Sequence, residues 1–167
     1  MKKGFTLIEL IIVMVVVGVL VTVALPKYNA SLERGRALEA ITNLKIASDY
    51  INARYVMNGN AYNAASTFAD ANGKFLTDAP STGKIESRID FLPSRFFSEP
   101  KLVSIDSGVL TIRTVRDGND YQLTAISQNG DLREITCTKP EGGADDYETL
   151  CANIGMEEVG GTYKMTF

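Results

Sequence analysis

One carboxylate, Glu9, lies inside an otherwise apolar stretch of 21 residues, 5–25. An ionised carboxylate at the centre of a bilayer costs on the order of 3 kcal/mol. The sequence has no Lys or Arg from residue 4 to residue 26, so no side-chain cation lies one helical turn away from Glu9. Cleavage between Gly4 and Phe5 would create an α-amine four residues before Glu9, which is one turn of helix. Such an amine is largely protonated at neutral pH, so we expect it to pair with Glu9 of its own chain or of a neighbouring copy.

The chain has two cysteines, Cys137 and Cys151, and no histidine. An even number of cysteines fits either a disulfide or two buried thiols. A membrane segment that places the cysteines outside the cytoplasm favours the disulfide. A disulfide that closes the loop between Cys137 and Cys151 would stabilise the fold by about 3 kcal/mol in the chain-entropy model. Without histidine, Ser-His-Asp and Cys-His catalysis and His-ligated metal sites are excluded.

Three acidic residues, Asp145, Asp146 and Glu148, cluster between the two cysteines. Oxygen ligands at this density can hold Ca²⁺, although a solvated acidic loop is the interpretation we favour. No nucleotide-binding loop, EF-hand pattern, Cys-x-x-Cys pair or nucleophile elbow occurs in the sequence. We therefore predict no catalytic residue, no metal and no cofactor, and expect the chain to be a substrate of an enzyme rather than an enzyme.

The apolar stretch 5–25 is long enough to cross a membrane as a helix, since 21 residues span about 31 Å. Lys2 and Lys3 precede it and predict a cytoplasmic amino terminus, with everything after Lys27 on the outer side. The simplest alternative is an uncleaved signal anchor. The net charge of −3 and the absence of a basic cluster beyond Lys2 and Lys3 give no strong signal for nucleic-acid binding.

The run KKGFTLIEL resembles the class III signal of type IV pilins and pseudopilins, in which a basic leader ends in Gly before Phe, with Glu four residues further on. The resemblance implies that a prepilin peptidase cuts between Gly4 and Phe5 and N-methylates Phe5. It also implies that Glu9 pairs with the Phe5 amine of an adjacent subunit during assembly. Gly18 and Pro26 match family positions where the helix loosens within the filament.

Residues 18–26 are also weak as a helix on physical grounds, because Pro26 removes one backbone donor and Gly18 is a poor helix former. A simple kink at the membrane surface is the alternative. Beyond Pro26 an apolar stripe predicts that the helix continues to about residue 57: Leu38, Ile41, Leu44, Ile51 and Tyr55.

The remaining sequence predicts an antiparallel sheet. Residues 109–115, 121–127 and 132–138 are rich in β-forming residues, and Asn129-Gly130 is a strong hairpin signal. Residues 101–105 and 163–167 are candidate outer strands. We thus expect an α+β, pilin-like fold in which a long N-terminal helix packs on an antiparallel sheet of three to five strands. The predicted divisions are a leader (1–4), a transmembrane and filament-core helix (5–26), an amphipathic outer half (27–57), a connection (58–100), and a sheet with a disulfide-bounded C-terminal region (101–167).

The resemblance implies a structural subunit of a bacterial type IV pilus, which serves motility, adhesion or DNA uptake. Its partners would be other copies in the filament, the prepilin peptidase and an inner-membrane assembly platform. Before assembly it would cross the inner membrane once, and afterwards it would form part of an extracellular filament. The alternatives are a pseudopilin of a type II secretion system and a monomeric, membrane-anchored periplasmic binding module.

Overall fold

The computed structural model describes residues 6–57, 94–106, 108–129 and 131–167. These residues form two helices and six strands in chain order: α1 (Leu7–Met57), β1 (Lys101–Asp106), β2 (Val109–Val115), β3 (Gln122–Gln128), β4 (Asp131–Thr138), α2 (Tyr147–Asn153), β5 (Glu157–Val159) and β6 (Thr162–Thr166).

Helix α1 is a single α-helix of 51 residues, which corresponds to a length of about 77 Å. It continues through Pro26 without a break, because a proline removes only one backbone donor and the neighbouring turns keep their own hydrogen bonds. In its N-terminal half the large apolar side chains are exposed. Among the described residues α1 alone is long and apolar enough to cross a membrane, judged by length and composition.

The outer half of α1 packs on the sheet through a face of mostly small residues. The fully buried positions lie on one side of the helix, with most of them three or four residues apart: Ala37, Ala40, Leu44, Ala47, Ser48 and Ile51. Leu38, which the predicted stripe places on this face, is 53% exposed, so that part of the prediction is wrong. Leu38 lies one residue, about 100°, from Ala37, and the alanines let the helix approach the sheet more closely than a leucine at that contact would.

The six strands form one antiparallel sheet in the order β1-β2-β3-β4-β6-β5. The central strands alternate buried and less buried side chains, as expected for a sheet covered on one face. The buried side chains that meet α1 include Leu110, Ile112, Leu123, Ala125 and Ile135. The helix contacts β2, β3 and β4, while α2 contacts β4 and β6, so the two helices together cover one face of the sheet.

The predicted α+β fold is confirmed, and β2 has the predicted bounds. The sheet has six strands rather than three to five, because the short polar strand β5 pairs with β6 at the edge. Helix α2 is also additional to the prediction. Most of the predicted connection, residues 58–93, lies outside the described residues, and in its last part Phe97 forms an isolated bridge with Arg116.

Candidate functional site at the N-terminal helix

Glu9 lies in the first turn of α1 and is bound by Thr6, the residue just before the helix. The backbone N–H of Thr6 donates to Oε2 of Glu9 at 2.9 Å, and the Thr6 hydroxyl donates to the same oxygen at 2.7 Å. In return, the N–H of Glu9 donates to the Thr6 hydroxyl oxygen at 3.4 Å. This reciprocal pattern is a capping box, which satisfies backbone donors at the start of the helix. The sequence prediction does not include Thr6, although the Thr-x-x-Glu spacing is the signal for it.

The carboxylate of Glu9 therefore has neutral donors within its own first turn. Both donors bind Oε2, and no salt bridge joins Glu9 to any Lys or Arg of the described part of the chain. Oε1 keeps its acceptor capacity for a donor from elsewhere. Gly4 and Phe5, the predicted processing residues, lie outside the described residues.

Residues 7–25 of α1 present an apolar surface on all sides. Every large apolar side chain in this range is between 44% and 77% exposed. A helix that is apolar all round needs lipid or other helices around it. At Gly18, an added Cβ would have no heavy atom within 4 Å, so no contact with the described part of the chain explains a glycine there.

Glu33 connects α1 to the turn between β2 and β3. It lies at the centre of a group of charged and polar side chains. Its Oε1 accepts from Nε of Arg116 at 2.7 Å and from the hydroxyl of Tyr121 at 2.8 Å. Its Oε2 accepts from Arg36 at 3.1 Å and from a second nitrogen of Arg116 at 3.3 Å. We call Glu33, Arg116 and Tyr121 the Glu33 cluster. The sequence gives no local signal for it, because Glu33 lies 83 positions from Arg116 and 88 positions from Tyr121.

Burial and hydrogen bonding act in opposite directions on the acidity of Glu33. Burial raises the pKa of its carboxyl, but the hydrogen bonds from Arg116, Tyr121 and Arg36 outweigh burial and leave the pKa below its ordinary value. Burial raises the pKa of the Tyr121 hydroxyl, and its bond to the Glu33 carboxylate raises it further. Glu33 is therefore ionised, and Tyr121 is neutral, at physiological pH.

Cys137 and Cys151 form the expected disulfide, with their Cα atoms 5.9 Å apart. Both residues are buried, and the bond attaches α2 to strand β4. In the loop between them, Asp145 pairs with Lys139 at 2.5 Å. No group of three or more metal-ligating side chains is present among the described residues, which include Asp146 and Glu148.

Similarity to known proteins covers both the amino terminus and the whole chain. Residues 1–25 match the family model for the prokaryotic N-terminal methylation motif. The chain is 36% identical over 170 residues to a type IV major pilin protein PilE1 of Neisseria gonorrhoeae, covering 94% of this chain and 88% of the relative. It is 26% identical over 174 residues to a fimbrial protein of Neisseria meningitidis, with the same shares covered.

A further relative is similar over a shorter part of the chain. Over 42 residues the chain is 45% identical to the type IV major fimbrial protein FimA of Dichelobacter nodosus, which is 25% of this chain and 26% of the relative. No solved structure matches the chain. With an N-terminal methylation motif, an exposed apolar helix, and similarity of 36% identity to a major pilin over nearly its whole length, the chain belongs to the type IV pilin family.

Proposed function

We propose that this chain is a structural subunit of a type IV pilus, which polymerises through helix α1. The observation that carries the proposal is the exposed apolar surface of residues 7–25 on a chain that is similar to a major pilin over nearly its whole length. In a bundle of such helices the apolar side chains of each copy are covered by its neighbours. The sheet and α2 then lie outside the bundle, because they pack only on the outer half of α1.

Assembly uses Glu9 as the acceptor for an amine of another subunit. A prepilin peptidase cuts between Gly4 and Phe5 and methylates the new amine of Phe5. The match to the N-terminal methylation motif supports this step. The available Oε1 of Glu9, beside an Oε2 already bound to Thr6, supports the pairing, because the carboxylate can accept the amine while it keeps its own cap.

Gly18 and Pro26 give the helix a stretch that loosens in the filament. Pro26 leaves the carbonyl of Thr22 without its usual donor, while the Thr22 hydroxyl bonds to the carbonyl of Val19 at 2.7 Å. Gly18 is a poor helix former, and an added Cβ there would have no heavy atom of the described residues within 4 Å. Extension of residues 18–26 would lengthen the subunit without disturbing the sheet.

The same helix determines where the protein resides. Before assembly, α1 anchors the chain in the inner membrane with its amino terminus in the cytoplasm. Its partners are the peptidase, the assembly platform and other copies of itself, and after assembly it lies in an extracellular filament. The chain is not an enzyme, and its role is structural.

The test compares two variants that each remove one carboxylate from α1, Glu9→Gln and Glu39→Gln. Sheared surface filaments are quantified by electron microscopy and immunoblotting, and the amino terminus of the mature protein is measured by mass spectrometry. We expect Glu9→Gln to reduce filaments more than about 10-fold, since a charge-assisted pair is worth about 1.5–3 kcal/mol per contact, and Glu39→Gln to leave them unchanged. Filaments at the normal level in Glu9→Gln, or a mature protein that still starts at Met1, would contradict the proposal.

A further inference from the structure

We infer that the Glu33 cluster is the boundary at which loosening of α1 stops, so that the helix can extend on its N-terminal side while the domain stays folded. The inference rests on the proposed function, since it assumes that residues 18–26 extend in the filament. It assigns to Glu33 a positioning role that neither the family motif nor the relatives' names describe.

The helix has little support between Pro26 and Glu33, a distance of about 10 Å along the axis. Pro26, Asn29 and Leu32 are exposed and line a groove of about 240 Å³ between α1 and α2. The backbone bond that Pro26 removes lies in this stretch of the helix. A disturbance that starts at Pro26 can therefore travel towards Glu33 at little cost.

Glu33 is the first side chain of α1 that is attached to the sheet. Only 12% of its surface is exposed, and 11% of that of Arg116. The next attachment is the buried face that starts at Ala37, which contributes apolar packing. Bonds that involve a full charge are stronger than neutral ones, so a pull on the helix meets its first strong resistance at Glu33.

The partners of Glu33 are themselves held in place. The N–H of Arg116 donates to the carbonyl of Tyr121 at 2.9 Å and closes the turn between β2 and β3. The Tyr121 ring is fully buried and meets Phe97 edge-on, with 5.7 Å between ring centroids. Arg116 also donates to the carbonyl of Phe96 at 3.1 Å. Because Arg116 and Tyr121 are held rigidly, a force that pulls on Glu33 is transmitted to the sheet.

A second helix-to-sheet hydrogen bond provides a matched control. The hydroxyls of Ser48 and Ser127 are 2.6 Å apart and buried. This bond also joins α1 to strand β3, but fifteen residues beyond Glu33. Removing the Ser127 hydroxyl deletes one bond from α1 to β3, and removing the Tyr121 hydroxyl deletes one bond from α1 to the residue just before β3. The two bonds lie at different distances from Pro26.

The experiment is hydrogen–deuterium exchange with mass spectrometry on the mature full chain in detergent micelles. The variants are Tyr121→Phe, which keeps the buried ring, and Glu33→Gln, with Ser127→Ala as the control. In the wild type we expect amides 34–40 to exchange at least about 10-fold more slowly than amides 27–33. In Tyr121→Phe and Glu33→Gln we expect amides 34–40 to exchange about 10-fold faster, in keeping with the loss of a bond to a charged group. In Ser127→Ala we expect the same amides to stay within about 2-fold of the wild type.

Two results would overturn the inference. The first is that amides 34–40 exchange as slowly in Tyr121→Phe and Glu33→Gln as they do in the wild type. The second is that Ser127→Ala speeds exchange of amides 34–40 as much as Tyr121→Phe and Glu33→Gln do. Exchange in β3 and β4 reports in the same measurement whether each variant remains folded, and Tyr121→Phe suffices if Glu33→Gln does not fold. The exchange measurement needs no filament, so a negative result in it can be distinguished from a negative result in the assembly assay. Unchanged assembly in Glu9→Gln would overturn the proposed function.

Discussion

Nε of Arg116 and Oε1 of Glu33 lie 2.7 Å apart, although the two residues are 83 positions apart in the sequence. The pair joins the outer half of α1 to the turn between β2 and β3. Tyr121 adds a second bond to the same carboxylate oxygen at 2.8 Å. The pair carries full charges, whereas the contact between the hydroxyls of Ser48 and Ser127, which also joins the helix to the sheet, is neutral.

The Glu33 carboxylate predicts a pH-dependent stability. Its pKa in the folded protein is below the ordinary value of 4.5, so its stabilising effect is present above pH 4.5 and is lost as the pH falls through the folded pKa. We expect Glu33→Gln to lower the free energy of unfolding by about 2 kcal/mol at neutral pH. The difference from wild type should shrink steadily below pH 4.5. Urea denaturation followed by circular dichroism across this pH range measures both quantities.

Asp145→Asn is the control for that measurement. Asp145 also has a lowered pKa, owing to its hydrogen bond with Lys139, but it is fully exposed. Exposed pairs contribute little to stability, so we expect its pH profile to match that of the wild type. A Glu33→Gln profile parallel to the wild-type profile would show that the cluster does not couple protonation to folding.

The orientation of α1 predicts opposite outcomes for two identical substitutions. Leu44 is fully buried against the sheet, whereas Leu38 is 53% exposed. We expect Leu44→Ala to lower the free energy of unfolding by about 2–5 kcal/mol, because it leaves a cavity. Leu38→Ala should change it by no more than about 0.5 kcal/mol. Chemical denaturation of the two variants in the same detergent measures both free energies of unfolding. Similar decreases in the two variants would show that the helix is rotated differently.

The disulfide predicts a redox-dependent stability. We expect the double variant Cys137→Ser, Cys151→Ser to lose about 3 kcal/mol in the free energy of unfolding. Hydrogen exchange should be faster in α2, since the disulfide attaches that helix to β4. The wild type treated with a reductant serves as the comparison and should behave like the double variant. An unchanged denaturation midpoint in both would mean that packing alone holds α2 in place.

The capping box at the start of α1 predicts a local effect of Thr6. Thr6→Val keeps the shape of the side chain but removes the hydroxyl that bonds to Glu9 at 2.7 Å. Loss of an N-cap costs about 1 kcal/mol, so the amides of residues 7–10 should exchange about 5-fold faster in micelles. Thr6→Ser keeps the hydroxyl and should restore the wild-type rate. Equal rates in Thr6→Val and wild type would show that the backbone bond suffices.

Features that depend on neighbours in the sequence could be predicted from it. The processing motif, the apolar helix and strand β2 follow from short runs of residues with a regular spacing. Asn129 has a φ of 53°, and its left-handed conformation is the one that the Asn-Gly turn signal implies. The disulfide could be anticipated because the membrane segment indicates an oxidising compartment.

Features that depend on distant contacts could not be predicted. The Glu33 cluster combines three residues whose proximity exists only after the helix has docked. The buried face of α1 is built from alanines, and a search for large apolar residues selects Leu38 in their place. Strand β5 contains Glu157 and Glu158, and all three of its residues are exposed, so only its pairing with β6 makes it a strand.

The exposed apolar side chains of α1 also set a partition equilibrium between lipid and water. Fifteen large apolar side chains between Leu7 and Leu25 are exposed. At about 1.5 kcal/mol each, their transfer into water would cost on the order of 20 kcal/mol. A free subunit would therefore be dissolved in water in about one case in 10¹⁵. In the proposed filament, the helix would pass from lipid directly onto the growing end, and the site of subunit addition would lie within the membrane.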